Sequence, residues 1–77
     1  MSKSIFYHAG CSVCVSAELD IVDLIGKSNV EIVHIGEDKS RISEAEKAGV
    51  KSVPALVTPN GHVLHINYGA SMADVKG

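Results

Sequence analysis

The 77-residue chain predicts one α/β domain, spanning residues 1–77, with a four-stranded mixed sheet and helices on both faces. Its expected order is β-α-β-α-β-β-α. Three observations predict it. Short β-branched or aromatic runs alternate with longer segments of helical period, the pattern of crossover units. The first β-α-β crossover makes its two strands parallel and right-handed. An Asn60-Gly61 pair between two later apolar runs signals a hairpin, which adds an antiparallel pair.

Each element has its own local reason. Ser4-Ile-Phe-Tyr7 is short, aromatic and β-branched, and reads as the first strand. A turn at Ala9-Gly10 follows. From Cys11 to Ile25 the polar residues Ser16, Asp20 and Asp23 draw one stripe down a helix, while apolar residues fill nearly everything else. A helix so apolar is expected to be more buried than a surface helix, and Gly26 stops it. Val30 to Ile35 is the second strand, ended by Gly36. The charged segment from Asp38 to Gly49 is the second helix, with Asp38 or Ser40 available to cap its start and Gly49 to close it. Val53 to Val57 is a third strand, entered through Pro54. In the Asn60-Gly61 turn both residues tolerate the positive φ of a type I′ turn. The fourth strand is expected from His62 to Tyr68, broken by Gly69, and a short helix from Ala70 to Lys76 ends the chain.

Composition excludes several functions. Hydrophobic residues make up 45% and charged residues 21%, an ordinary balance for a folded domain. Nine acids against seven bases give a net charge of −2, which argues against a nucleic-acid partner, since such binding needs a basic surface. Aromatic residues are 4% with no Trp, so no base-stacking platform exists. No apolar run approaches the roughly 20 residues of a membrane span. The segment Met1 to Tyr7 lacks the apolar stretch of a signal peptide, so a cytoplasmic location is expected.

Two cysteines narrow the choice. Cys11 and Cys14 stand in the run His8-Ala-Gly-Cys-Ser-Val-Cys14. A pair this close can staple only a single turn, so a structural disulfide is the weaker reading. In a reducing compartment such a pair is more often catalytic or metal-binding.

A C-x-x-C at the junction of the first strand and first helix, within this element order, resembles the thioredoxin fold. The downstream match is stronger. Lys47-Ala-Gly-Val-Lys-Ser-Val-Pro-Ala-Leu-Val57 is similar to the thioredoxin stretch in which a helix ends, a Gly-Val pair follows, and a Val-Pro opens the next strand. Asn60-Gly-His-Val63 matches the hairpin of that family, and Gly69-Ala70 its Gly-Ala pair before the last helix. The resemblance covers nearly the whole chain. Departures are specific: Ser12-Val13 lies between the cysteines, Gly10 replaces the usual Trp, Ile5 stands where thioredoxins bury an Asp, and Ala55 follows the proline. Neither the extra N-terminal elements of thioredoxins nor the Gly-Gly-Asp with which glutaredoxins hold glutathione has a match.

The resemblance implies a thiol–disulfide oxidoreductase, serving cell redox homeostasis, that acts on a disulfide-containing protein or a low-molecular-weight thiol and needs no cofactor or metal. Cys11, at the first turn of the first helix, gains from free N–H groups and the positive dipole end, so its pKa is expected below the usual thiol value of about 8.5. It is the attacking residue and Cys14 the resolving one. In this fold the bond before Pro54 is cis and faces the cysteines, so that Val53 offers its backbone to an extended substrate. His8 is a candidate for tuning the Cys11 thiolate as a nearby cation, against the simpler reading of a solvated loop histidine.

Two rival functions compete with this reading. One is a metal carrier, since paired thiolates suit Cu(I); against it, Ala9 stands where copper domains usually carry a Met. The other is an adaptor, or a module holding an Fe–S cluster between two chains. His62 and His65 differ by three along a strand, point to opposite faces and cannot chelate together; with His34 they read as ordinary strand residues.

The strands carry apolar residues on both faces, and after Gly69 only eight residues remain for the last helix. If the first and last helices share one face, the second helix covers the other thinly. Cover is short somewhere, and a symmetric homodimer would supply it.

Overall fold

Strands β1 (Ser4–His8), β2 (Val30–His34), β3 (Ser52–Val57) and β4 (Val63–Ser71) form one mixed sheet in the order β2-β1-β3-β4. Helices α1 (Ser12–Ile25), α2 (Ile42–Ala48) and α3 (Met72–Lys76) cover its faces, with 3-10 turns at Lys27–Asn29 and Lys39–Arg41. This computed structural model describes residues 3–76; residues 1, 2 and 77 of the expected domain lie outside the described residues. β1 runs parallel to β2 with Phe6 opposite Ile32, and antiparallel to β3 with Phe6 opposite Leu56. β3 and β4 are antiparallel.

Strand alternation sends Phe6, Val30 and Leu56 to one face, where Ala17 and Ile21 of α1 pack on them. The other face presents Tyr7, Val33, Ala55 and Val57 to Ile42 and Ala45 of α2 and to Met72 and Val75 of α3. Each large side chain fully buried in this way contributes about 1.5–3 kcal/mol. α2 is also pinned through charge. The Tyr7 hydroxyl donates to Glu44 at 2.5 Å, and Arg41 donates to both Glu44 oxygens at 3.0 and 2.7 Å and to Glu31 at 2.8 Å.

Several expectations change. β4 does not break at Gly69. It continues to Ser71, which pairs with Ser52, and Met72 N–H donates to the Lys51 carbonyl at 3.1 Å. That extra length delivers α3 to the α2 face, so α1 covers its own face alone. α1 is also less buried than its composition suggests: Leu24 is 81% and Leu19 67% exposed, because one helix side can reach the sheet and its apolar residues surround it. The second helix begins at Ile42; Ser40 bonds the Asp38 carboxylate instead of either residue capping that helix. In the hairpin only Gly61 has positive φ, at +87°. Pro59 fixes its own φ as negative, so Thr58 to Gly61 forms a type I turn closed by Gly61 N–H to the Thr58 carbonyl at 2.9 Å.

Candidate active site

The pair Cys11 and Cys14 lies where β1 hands over to α1, at the carboxyl edge of the sheet. Cys11 is the N-cap of α1. Its backbone is extended, its carbonyl accepts the first helical bond from Val15 at 3.0 Å, and its Sγ accepts from Cys14 N–H at 3.2 Å. Hydrogen bonding to sulfur at the positive end of a helix favours the thiolate over the thiol. The two cysteines are disulfide-bonded, with Cα atoms 5.0 Å apart. Cys11 is half-buried, whereas Cys14 is 0% exposed. The two residues of the pair are therefore unequally accessible to solvent.

β3 and β4 build the wall beside Cys11. The Val53–Pro54 bond is cis, and both side chains are buried. Val53 is in register with Ala70 and Ala55 with His65, so Pro54 alone opposes the four residues 66–69. Pro54 has no N–H to give the ladder, and β4 bulges across the gap. The bulge carries Gly69 against the cysteine: a Cβ there would overlap Cys11 Sγ and lie 3.1 Å from the Val53 carbonyl oxygen. Gly69, expected as a strand breaker and as part of the family's Gly-Ala pair, is also a site residue. An open hollow of about 400 Å³ beside Cys11 is bounded by Gly10, Gly36, Lys39, Ala70 and Asp74 as well. These come from three separate segments, and nothing local in the sequence joins them. A second hollow, of about 470 Å³, lies over Ser40, Ile42 and Glu46 and contains no thiol.

His8 is not a solvated loop residue. It ends β1 and is 6% exposed, because α1 and the neighbouring strand enclose it. Its Nδ1 accepts from Gly10 N–H at 3.2 Å and its Nε2 lies 3.4 Å from Glu18 Oε1. Burial, and then the charge of His34, push its pKa below the usual 6.5, while Glu18 acts in the opposite direction. His8 is thus held neutral at pH 7. The other histidines are dispersed: His34 packs on His8, His62 lies in the hairpin, and His65 Nε2 accepts from Lys51 N–H at 3.1 Å. Among the described residues no group of three or more His, Cys, Asp or Glu side chains is gathered as a metal site. No described helix is long and apolar enough to cross a membrane.

No family model matches the chain, and no curated protein does. A solved structure does. The chain is similar to a dimeric thioredoxin-like protein from Nitrosomonas europea, known from its solution NMR structure. The two are 64% identical over 99% of this chain and 96% of that one, with a TM-score of 0.87. Identity at this level, over the whole domain and with the cysteine pair at the expected junction, decides the family. The chain belongs to the thioredoxin-like proteins.

Proposed function

We propose that this protein is a thiol–disulfide oxidoreductase in which Cys11 attacks and Cys14 resolves. The observation that carries the reading is the asymmetry of the pair: a half-buried Cys11 whose Sγ is hydrogen-bonded at a helix N-terminus, and a fully buried Cys14 one turn on. The Cys11 thiolate attacks one sulfur of a substrate disulfide, forming a mixed disulfide and expelling the other sulfur as a thiolate. The Cys14 thiolate then attacks Cys11 Sγ and releases the second substrate thiolate. Two electrons pass from the dithiol to the substrate, and the Cys11–Cys14 disulfide remains. The substrate is a protein or low-molecular-weight disulfide in a reducing, cytoplasmic compartment. Val53 and Pro54 are assigned to shaping the substrate approach to Cys11; each is buried as a whole residue, backbone included, beneath the β4 bulge. His8 is assigned to tuning Cys11.

The test is turnover of a small disulfide driven by a dithiol reductant. Cys11→Ser should fall to the uncatalysed background, and undiminished turnover by that variant would refute the assignment.

We also infer a symmetric homodimer; the Nitrosomonas europea protein is dimeric. With α3 on the opposite face, the α1 face is short of cover at β4, where Leu64 is 50% and Ile66 40% exposed. Leu24 lies on the α1 flank shared with Val13, eleven residues or about three turns earlier. Val13 in turn lies against Gly69 of β4. Leu24, Leu64 and Ile66 therefore form one apolar strip beside the outer edge of β4, which among the described strands pairs only with β3. A second copy burying this strip is the simplest cover.

A further inference from the structure

His8 and His34 are register partners at the carboxyl ends of the parallel strands β1 and β2. Their rings lie 4.5 Å apart, centroid to centroid, and His8 stacks on Phe6 from the other side at 5.8 Å. The two rings repeat one hydrogen-bond pattern. His8 Nδ1 accepts from Gly10 N–H at 3.2 Å, so a neutral ring carries its proton on Nε2, which lies 3.4 Å from Glu18 Oε1 of α1. His34 Nδ1 accepts from Glu37 N–H at 3.1 Å, so its proton also sits on Nε2, 3.8 Å from Glu37 Oε1.

The pair encloses the residue before Cys11. A Cβ on Gly10 would come within 2.7 Å of His34 Nε2, and Gly10 has φ +83°, which a side chain would strain. Gly10 is thus held by His8 through its N–H and covered by the His34 ring. The Gly36 backbone closes the far side, where a Cβ would lie 2.9 Å from His34 Cε1 and from the Ala9 carbonyl oxygen.

We propose that His8 and His34 are positioning residues that, in their neutral Nε2–H form, clamp the Ala9-Gly10 turn and so seat Cys11, and that protonation of His8 releases it. The proposal rests on the reading of Cys11 as the attacking thiol. A doubly protonated His8 has no lone pair at Nδ1 for Gly10 N–H. The positive ring would also face His34 across 4.5 Å, with Glu18 from α1 and Glu37 after β2 as the carboxylates opposing that repulsion. The seat is therefore intact at neutral pH and lost on acidification. This differs in sign from a cationic histidine that would promote the thiolate.

The test is the rate of iodoacetamide alkylation of Cys11 in the reduced 77-residue chain, read by peptide mass across pH 4.5–9. In the parent protein the rate should follow a single thiol ionisation at high pH. On the acid side of the ordinary histidine value of 6.5 it should fall beneath that line, by about fivefold, the equivalent of one hydrogen bond. His8→Gln, which can accept from Gly10 without titrating, should remove the acid step. Glu18→Gln, which removes an opposing carboxylate, should move the step to lower pH. A parent profile fitted by one ionisation, a rate above the line, or an acid step retained in His8→Gln would each overturn the proposal. The ring ¹⁵N spectrum of the parent protein gives a check that no variant can confound. His8 should be the Nε2–H tautomer at pH 7, and an Nδ1–H tautomer there would overturn the clamp. Alkylation and the ring spectrum need no turnover, so they report on the clamp even if Cys11→Ser leaves disulfide reduction unchanged.

Discussion

The backbone of Gly69 lies against Cys11 Sγ, so close that a methyl group on residue 69 would overlap the sulfur. The same methyl would come within 2.9 Å of Val13 Cγ2 and 3.1 Å of the Val53 carbonyl oxygen, so three walls of the site meet on this position. Gly69→Ala should cost roughly 1–3 kcal/mol through overpacking. It should also slow alkylation of Cys11. Gly61→Ala is the matched control. It has φ +87° with nothing within 4 Å, so its backbone strain costs about 1–2 kcal/mol without reaching the cysteines. Melting curves should drop for both variants, while Cys11 reactivity should change only for Gly69→Ala.

Burial separates the two thiols experimentally. Cys14→Ser leaves the attacking sulfur without its resolving partner, so an adduct with a small disulfide should accumulate as a stable mixed disulfide visible by intact mass. In Cys11→Ser the remaining thiol is 0% exposed and should resist alkylation until denaturant is added.

Tyr7 joins the core to the charged cluster on α2. Its ring is buried and its hydroxyl reaches Glu44; burial first, then the hydrogen bond to that carboxylate, raises its pKa well above the ordinary tyrosine value. Tyr7→Phe should keep the packing and lose the bond, at about 1 kcal/mol. For a domain of this size the melting temperature should fall by about 4–8 °C.

Glu44 and His8 place stability loss in two pH ranges. The Arg41 guanidinium, and then the Tyr7 hydroxyl, hold the Glu44 carboxyl below its usual 4.5. Its folded pKa lies under its unfolded one, so the unfolded chain binds more protons; the contribution is present above about pH 4.5 and lost as pH falls through the folded value. His8 is also lowered, chiefly by burial, so its contribution is whole above about pH 6.5 and declines below. Denaturant midpoints against pH should show an early decline absent in His8→Gln and a later one reduced in Glu44→Gln.

Charge on the apolar strip should separate a dimer into monomers. Leu24→Lys combined with Leu64→Lys places cations where a second copy would pack, on side chains 81% and 50% exposed in one protomer. Light scattering behind a sizing column should give about twice 8.1 kDa for the parent and 8.1 kDa for the double variant. Cys11 alkylation should be unaffected. A monomeric parent would defeat the dimer.

The sequence by itself determined the element order, the cysteine junction and the family. These signals are local: the stripe of Ser16, Asp20 and Asp23, the stops at Gly26, Gly36 and Gly49, and the spacing from Cys14 to Pro54 each act over a few turns of chain or repeat as a motif. The hairpin was legible at Asn60-Gly61, but its turn type depended on Pro59, one residue outside that pair. Tertiary structure decided what depends on residues far apart. β4 runs through Gly69 to Ser71 because Ser52 and Lys51 offer it partners, and that alone moves α3 to the α2 face. His8 is buried because β2 brings His34 beside it and α1 brings Glu18 over it, 26 and 10 residues away in the chain. Gly69 touches Cys11 because a proline 15 residues earlier interrupts a ladder and the opposing strand bulges over the gap. A motif names the atoms that react, but their surroundings are set by packing between segments, which no local pattern encodes.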